Sequence, residues 1–162
     1  MRITSVEPQK KTLRLRSGRD PKRFNVFLDG EFAFGADEDL VVNRRLVPGK
    51  EISKDDLEKI LFETEVGKLM ERMYRLFNIR QRSEKEIREY FRIKNYELRI
   101  KNKEQVSNLT LESLIETLKK KRMINDLQFA KSWMESRSKK YGPLRIKQEL
   151  FKKGISREVI EE

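Results

Sequence analysis

Asn125-Asp126-Leu127-Gln128-Phe129-Ala130-Lys131-Ser132-Trp133 opens the stretch whose reading decides the fold. Ser136-Arg137-Ser138-Lys139-Lys140-Tyr141-Gly142-Pro143 follows, and Ile146-Lys147-Gln148-Glu149-Leu150 then leads to Lys153-Gly154-Ile155-Ser156. Phe129 and Trp133 stand four apart, as do Ile146 and Leu150, the spacing of one face of a helix. Gly142-Pro143 between them reads as a helix–turn–helix joint, because proline suits a first helical turn and not an interior one. Asp126 offers a cap to the first helix. Gly154-Ile155-Ser156 ends the second and caps a third, which is cut off at Glu162. Phe129, Trp133, Ile146 and Leu150 are assigned to the core, and Trp133→Ala is expected to cost ~3–5 kcal/mol as a core truncation.

The same pattern echoes upstream. A shift of 59 positions lays Ser83–Tyr96 on Gly142–Ile155, so that Ile87 falls on Ile146, Arg88 on Lys147, Phe91 on Leu150 and Lys94 on Lys153. Met70 and Tyr74 precede the first copy as Phe129 and Trp133 precede the second. Tandem helical units of about sixty residues follow, each burying apolar faces against its neighbours.

Before these units the periodicity changes. Ser53 reads as the cap of a long helix carrying Leu57, Ile60, Leu61, Val66, Leu69, Met70, Met73, Tyr74 and Phe77 on one face. Ser83-Glu84-Lys85-Glu86 is a capping box that opens the next helix, with Ile87, Tyr90 and Phe91 inward. Residues 96–108 are polar, a loop or a frayed continuation. Leu111, Leu114, Ile115 and Leu118 mark a further helix. Nearer the N-terminus, Phe24–Leu28 and Glu31–Phe34 flank Asp29-Gly30, a type I′ hairpin signal. Ile3–Val6 and Leu13–Leu15 supply further strands, and Asp39 caps a short helix over Leu40–Leu46.

Composition narrows the chemistry. The 162 residues are 40% charged and 36% hydrophobic, with neither Cys nor His. Disulfides, thiolate or imidazole metal sites and a Ser-His-Asp triad are therefore excluded. No apolar run approaches the ~18 residues of a membrane helix, and Met1–Glu7 lacks a signal-peptide core. A soluble cytoplasmic protein is expected. The net charge of +11 is uneven: residues 1–71 balance at 14 basic and 14 acidic, residues 72–103 carry 11 against 4, and residues 119–157 carry 13 against 3. Such a field attracts polyanions, of which nucleic acid is the commonest.

The 125–156 stretch resembles the RecX family, regulators of the RecA recombinase. The family's run N/D-D-x-x-F-A-x-x-W, a basic stretch and G-P-x-x-I-x-x-E-L-x-x-K-G-I-S is matched almost position by position. Ser83-Glu84-Lys85-Glu86-Ile87 is similar to the start of the preceding repeat, and Arg23–Gly35 to the β-module of longer variants. The resemblance implies three-helix repeats that bind the RecA–DNA filament and restrain ATP hydrolysis, strand exchange and coprotease activity, with no catalysis of their own. A further repeat, expected for the family, does not follow here.

The resulting expectation is a mostly α fold: tandem three-helix repeats in an extended helical array, preceded by a small β-rich module. The boundaries are 1–52 for the β-module with its short helix, 53–124 for repeat 1 and 125–162 for an incomplete repeat 2. Arg137, Lys139, Lys140, Arg145, Lys147, Lys152, Lys153, Arg82 and Arg88 are the expected basic surface for the RecA filament and for single- or double-stranded DNA. Phe129, Trp133, Ile146, Leu150 and Ile87 are the expected core. No cofactor, metal or membrane is expected, and the chain is expected to act as a monomer. Two rivals stand beside this. Asp37-Glu38-Asp39 and Asp55-Asp56-Glu58 could hold Mg²⁺ in a nuclease, although acids before a helix also suit its dipole. A general DNA-binding regulator acting without RecA could use Arg145–Lys153 as its reading helix.

Overall fold

The structure is a computed structural model that describes residues 1–10 and 22–162. The expected strand Leu13–Leu15 lies outside the described residues. Among these, three strands, β1 (Ile3–Pro8), β2 (Arg23–Leu28) and β3 (Glu31–Asp37), precede seven helices. These are α1 (Glu38–Asn43), α2 (Lys54–Ile79), α3 (Glu84–Ile100), α4 (Asn108–Lys120), α5 (Asp126–Arg137), α6 (Pro143–Lys152) and α7 (Arg157–Glu161). The chain divides into two compact units, Met1–Leu69 and Met70–Glu162, with the division inside α2.

In the first unit the strands form an antiparallel sheet in the order β1-β2-β3. Asp29 (φ 49°) and Gly30 (φ 89°) both take the left-handed conformation that a type I′ turn demands. The register shifts between Val26 and Phe27, and Phe27 meets Phe32 edge to face at 5.9 Å. Val26, Leu28, Phe34 and Ala36 bury one sheet face with Ile3, Leu40, Leu46, Ile52 and Ile60. The short helix differs from its expected position. Asp37, not Asp39, caps it, its carboxylate accepting from the Leu40 N–H at 2.8 Å. The helix ends at Asn43, because Arg45 turns to φ 46° and Leu46 folds back into the core.

In the second unit the 59-residue echo has a structural counterpart at its start. Ser83 is the N-cap of α3 and Gly142 the N-cap of α6. The paired positions Ile87/Ile146 and Phe91/Leu150 are all buried. The two helices then part. α6 stops at Lys152 and turns at Gly154 (φ 82°), whereas α3 runs on to Ile100. The segment expected as loop or frayed helix is thus both. Asn95 closes it by donating to the Val106 carbonyl and accepting from the Val106 N–H, each at 2.9 Å.

Phe129, Ala130, Ile146, Leu150 and Ile155 form the core of α5–α7. Asn125, not Asp126, caps α5, because its side-chain oxygen reaches the Gln128 N–H at 3.1 Å while Asp126 enters the first turn. Leu61 and Tyr74, assigned by spacing to an apolar face, are exposed. Each sits at the margin of its stripe, where 100° per residue carries it out of the contact.

Gly154 has two reasons to be glycine: its positive φ, and a Cβ that would lie 2.8 Å from Lys85 Cβ. Gly154→Ala is therefore expected to destabilise the fold by about 1–3 kcal/mol. Gly142→Ala, where no atom lies within 4 Å of the added carbon, is expected to shift a thermal melt far less. Equal melts for the two variants would contradict this account.

Candidate functional site

The cations of the second unit are sorted by two carboxylates. Glu149, partly buried on α6 next to buried Leu150, receives Arg137 from α5 in a two-pronged pair: Nε to Oε2 at 2.9 Å and Nη2 to Oε1 at 3.0 Å. Trp133 Nε1 donates to Oε2 at 3.0 Å, and Arg145 Nε lies 3.5 Å from Oε1. Four donors on one carboxylate hold it ionised, so its pKa falls, chiefly through Arg137. Above this pair the rings and cations alternate. Lys153 Nζ lies 5.0 Å from the Trp133 ring, Arg137 5.2 Å from Trp133 and 4.8 Å from Tyr141, and Arg145 3.9 Å from Tyr141. Cations over aromatic faces gain from the ring quadrupole.

Glu86 is the second organiser. As the third residue of α3 it completes the capping box by accepting from the Ser83 N–H at 3.2 Å. It also takes both prongs of Arg80, at 2.9 and 3.0 Å, and Lys153 Nζ at 2.6 Å. The Ser83 hydroxyl donates to the Lys153 carbonyl at 2.6 Å. One residue at the end of α6 is thus held from both its main chain and its side chain by the start of α3. Burial alone would raise the Glu86 pKa; the hydrogen bonds from Arg80, Lys153 and Ser83 outweigh it and bring the carboxyl down to about 2.

The expected basic residues therefore fall into two groups. Arg137, Arg145 and Lys153 are engaged by Glu149 or Glu86. Arg88 is held by Glu84 at 2.9 Å and Glu112 at 2.6 Å. Half-buried Arg82 donates to the Leu76 carbonyl at 3.4 Å. Lys139, Lys140, Lys147 and Lys152 are exposed and have no ion-pair partner among the described residues. On α6, 100° per residue sets Lys147, Phe151, Leu144, Gln148 and Lys152 on the side away from Ile146 and Leu150. Leu144 is 72% exposed and Phe151 50%. The free face is two lysines flanking an apolar strip.

Of the expected core residues, Phe129, Ile146, Leu150 and Ile87 are buried. Trp133 packs against that core partly buried, stacked on Phe129 at 5.8 Å with its N–H donating to Glu149. Sequence reading overlooked Glu149 and Glu86 as organisers. Glu86 showed only as a capping-box residue. Glu149 stood four after Arg145, a weak signal on its own. The acidic runs serve helix starts: Asp37 caps α1, and Asp56 donates its N–H to the Ser53 hydroxyl at 3.1 Å. No group of three or more acids placed to hold a metal ion occurs among the described residues. No helix among them is long and apolar enough to cross a membrane.

A small N-terminal sheet followed by capped helices, with paired charges outside the core, makes a mostly helical protein with a β-rich start. Residues 1–53 match the family described as "Regulatory protein RecX N-terminal domain", and residues 125–162 match "RecX, second three-helix domain". The chain belongs to the RecX family. Over 162 residues it is 30% identical to "Regulatory protein RecX" of Listeria monocytogenes, covering 99% of this chain and 54% of the relative. The Bacillus velezensis protein of the same name is 31% identical, with 99% and 55% covered. That of Clostridium beijerinckii is 29% identical, with 99% and 67% covered. The chain spans about half the length of the Listeria and Bacillus relatives. A solved structure described as "Crystal structure of regulatory protein RecX" superposes with a TM-score of 0.71 at 25% identity, over 99% of this chain and 70% of that one.

Two predictions follow from the paired carboxylates. Because the folded pKa of Glu86 lies below its ordinary value of 4.5, its contribution is present above that value and disappears as pH falls toward 2. Discounted for partial exposure, it amounts to about 2 kcal/mol. Glu86→Gln is expected to lower stability at neutral pH and to flatten the loss between pH 4.5 and 2 in acid titrations followed by circular dichroism. Trp133→Ala is expected to cost about 2 kcal/mol in urea melts, less than truncation of a fully buried ring, because Trp133 is only partly buried against the core.

Proposed function

We propose that this chain is a modulator of the RecA–DNA filament that restrains RecA's ATPase, recombinase and coprotease activities and thereby regulates recombination and DNA repair. It does so as a cytoplasmic monomer without cofactor or chemistry of its own. The observation that carries the reading is the free face of α6, where Lys147 and Lys152 flank exposed Leu144 and Phe151. Lysines suit phosphate, releasing counterions on contact. An apolar strip between them suits a protein surface and adds nothing toward a naked phosphate backbone. A nucleoprotein target satisfies both; membership of the RecX family supports RecA as its protein part. Restraint then needs only differential affinity. A ligand that binds one arrangement of neighbouring RecA subunits better than another shifts the population toward it and slows the cycle.

The alternative, a DNA-binding regulator acting without RecA, finds less support on α6. Its exposed face offers Gln148 as its single amide, among lysines that recognise charge and not base edges.

Lys140, Lys147 and Lys152 changed together to Glu are expected to raise the amount needed for half-suppression of RecA ATPase roughly tenfold or more, with the far-ultraviolet spectrum unchanged. Leu144→Ser with Phe151→Ser is expected to weaken suppression while leaving binding to bare DNA intact. Undiminished suppression by both variants would refute the assignment to α6. Suppression lost only in step with bare-DNA binding would favour the alternative.

A further inference from the structure

A groove lies between α3 and α4, built from none of the residues on the free face of α6. It is an open groove of about 360 Å³, lined by Arg92, Tyr96 and Arg99 from α3, and by Gln105 and Asn108 from the start of α4 and the loop before it, over Phe91 and Leu111. That volume falls in the range of small-ligand sites. Tyr96 is 57% exposed, so its ring is open to solvent at the groove. Arg99 lies over the ring at 5.4 Å and has no carboxylate partner among the described residues. Its neighbours Arg88 and Arg92 are both neutralised, by Glu84 and Glu112 and by Glu89. The first turn of α4 brings no acid to the groove. Exposed Lys101 and Lys103 follow in the loop that Asn95 holds closed.

We infer that this groove is a binding site for a nucleotide of a single-stranded nucleic acid, with the base stacked on Tyr96 and the phosphate on Arg99. An aromatic ring beside an unpaired cation is the elementary unit of single-strand binding: the ring takes any base by its π-face and the cation takes the backbone. A paired duplex offers neither an open base face nor a sugar–phosphate path across a pocket of this size. Gln105 and Asn108 supply amides at the groove wall, able to donate to or accept from a base edge. The site is independent of the filament reading, since it uses none of the residues on α6.

The test uses the full chain, a twelve-residue deoxythymidine strand carrying one 5-iododeoxyuridine, and the matching blunt duplex. Ultraviolet crosslinking followed by peptide mapping is expected to join the strand to Tyr96 and to leave the duplex unjoined there. Tyr96→Ala is expected to weaken strand binding roughly tenfold, and Tyr96→Phe to restore it, because the ring and not the hydroxyl is required. Arg99→Gln is expected to reduce the slope of log affinity against log salt by about 0.7, the value for one phosphate on a single strand. Crosslinks confined to α6, or unchanged affinity in both Tyr96→Ala and Arg99→Gln, would overturn the inference. Equal protection of Tyr96 by thymidine monophosphate alone, at the same nucleotide concentration, would assign the groove to a free nucleotide and overturn its assignment to a strand. Lys147→Glu with Lys152→Glu is expected to leave the Tyr96 crosslink in place, so failure of the α6 reading and failure of this one remain distinct.

Discussion

Lys153 is held at both ends by the first turn of α3: Ser83 donates to its carbonyl, and Glu86 accepts from its ammonium. This joint ties the turn after α6 to the start of α3 within the unit Met70–Glu162. It uses the same Glu86 that completes the capping box, so the residue that helps start a helix also ties it to the turn after α6. Gly154 allows the approach, since any side chain there would meet Lys85. A carboxylate in such a position is effective because the charged groups around it are partly removed from water, while every one of its lone pairs finds a donor.

The joint and the Glu149 cluster impose an economy on the positive charge. A chain with 38 basic residues repels itself unless some of them are paired with acids. Arg137, Arg145, Arg88 and Lys153 are neutralised in this way, and the exposed lysines are left to carry the field. Arginine takes the paired positions and lysine many of the free ones. Its planar fork suits two-pronged carboxylate pairing and ring stacking, whereas the lysine ammonium is better solvated. The free cationic surface is thus smaller than the total charge implies, and on α6 it is interrupted by Leu144 and Phe151.

Much of the local structure was legible in the residues. Asp29-Gly30 announced its hairpin because two successive positive φ values admit few residue pairs. Ser83 and Glu86 announced the start of α3, and Gly142-Pro143 the start of α6, because caps act over three or four residues. Where competing caps stood close together, at Asp37 and Asp39 and again at Asn125 and Asp126, composition could not choose between them. The choice fell to whichever side chain sat in extended backbone with an N–H within reach. Trp133 illustrates the harder case: its spacing put it on the buried stripe, where it packs against the core, but the acceptor for its indole N–H stands 16 residues on, at Glu149.

What the sequence by itself determined is the order of elements, their caps, the apolar stripe of most helices and the excess of positive charge in the second half. Each of these depends on residues a few positions apart. Which cations are spent on internal pairs and which face outward was decided only by the tertiary structure. Glu86 and Lys153 are 67 residues apart, and Arg88 and Glu112 are 24 apart. No local pattern marks such partners, because a charge pair forms only after chain folding has brought both groups to one place.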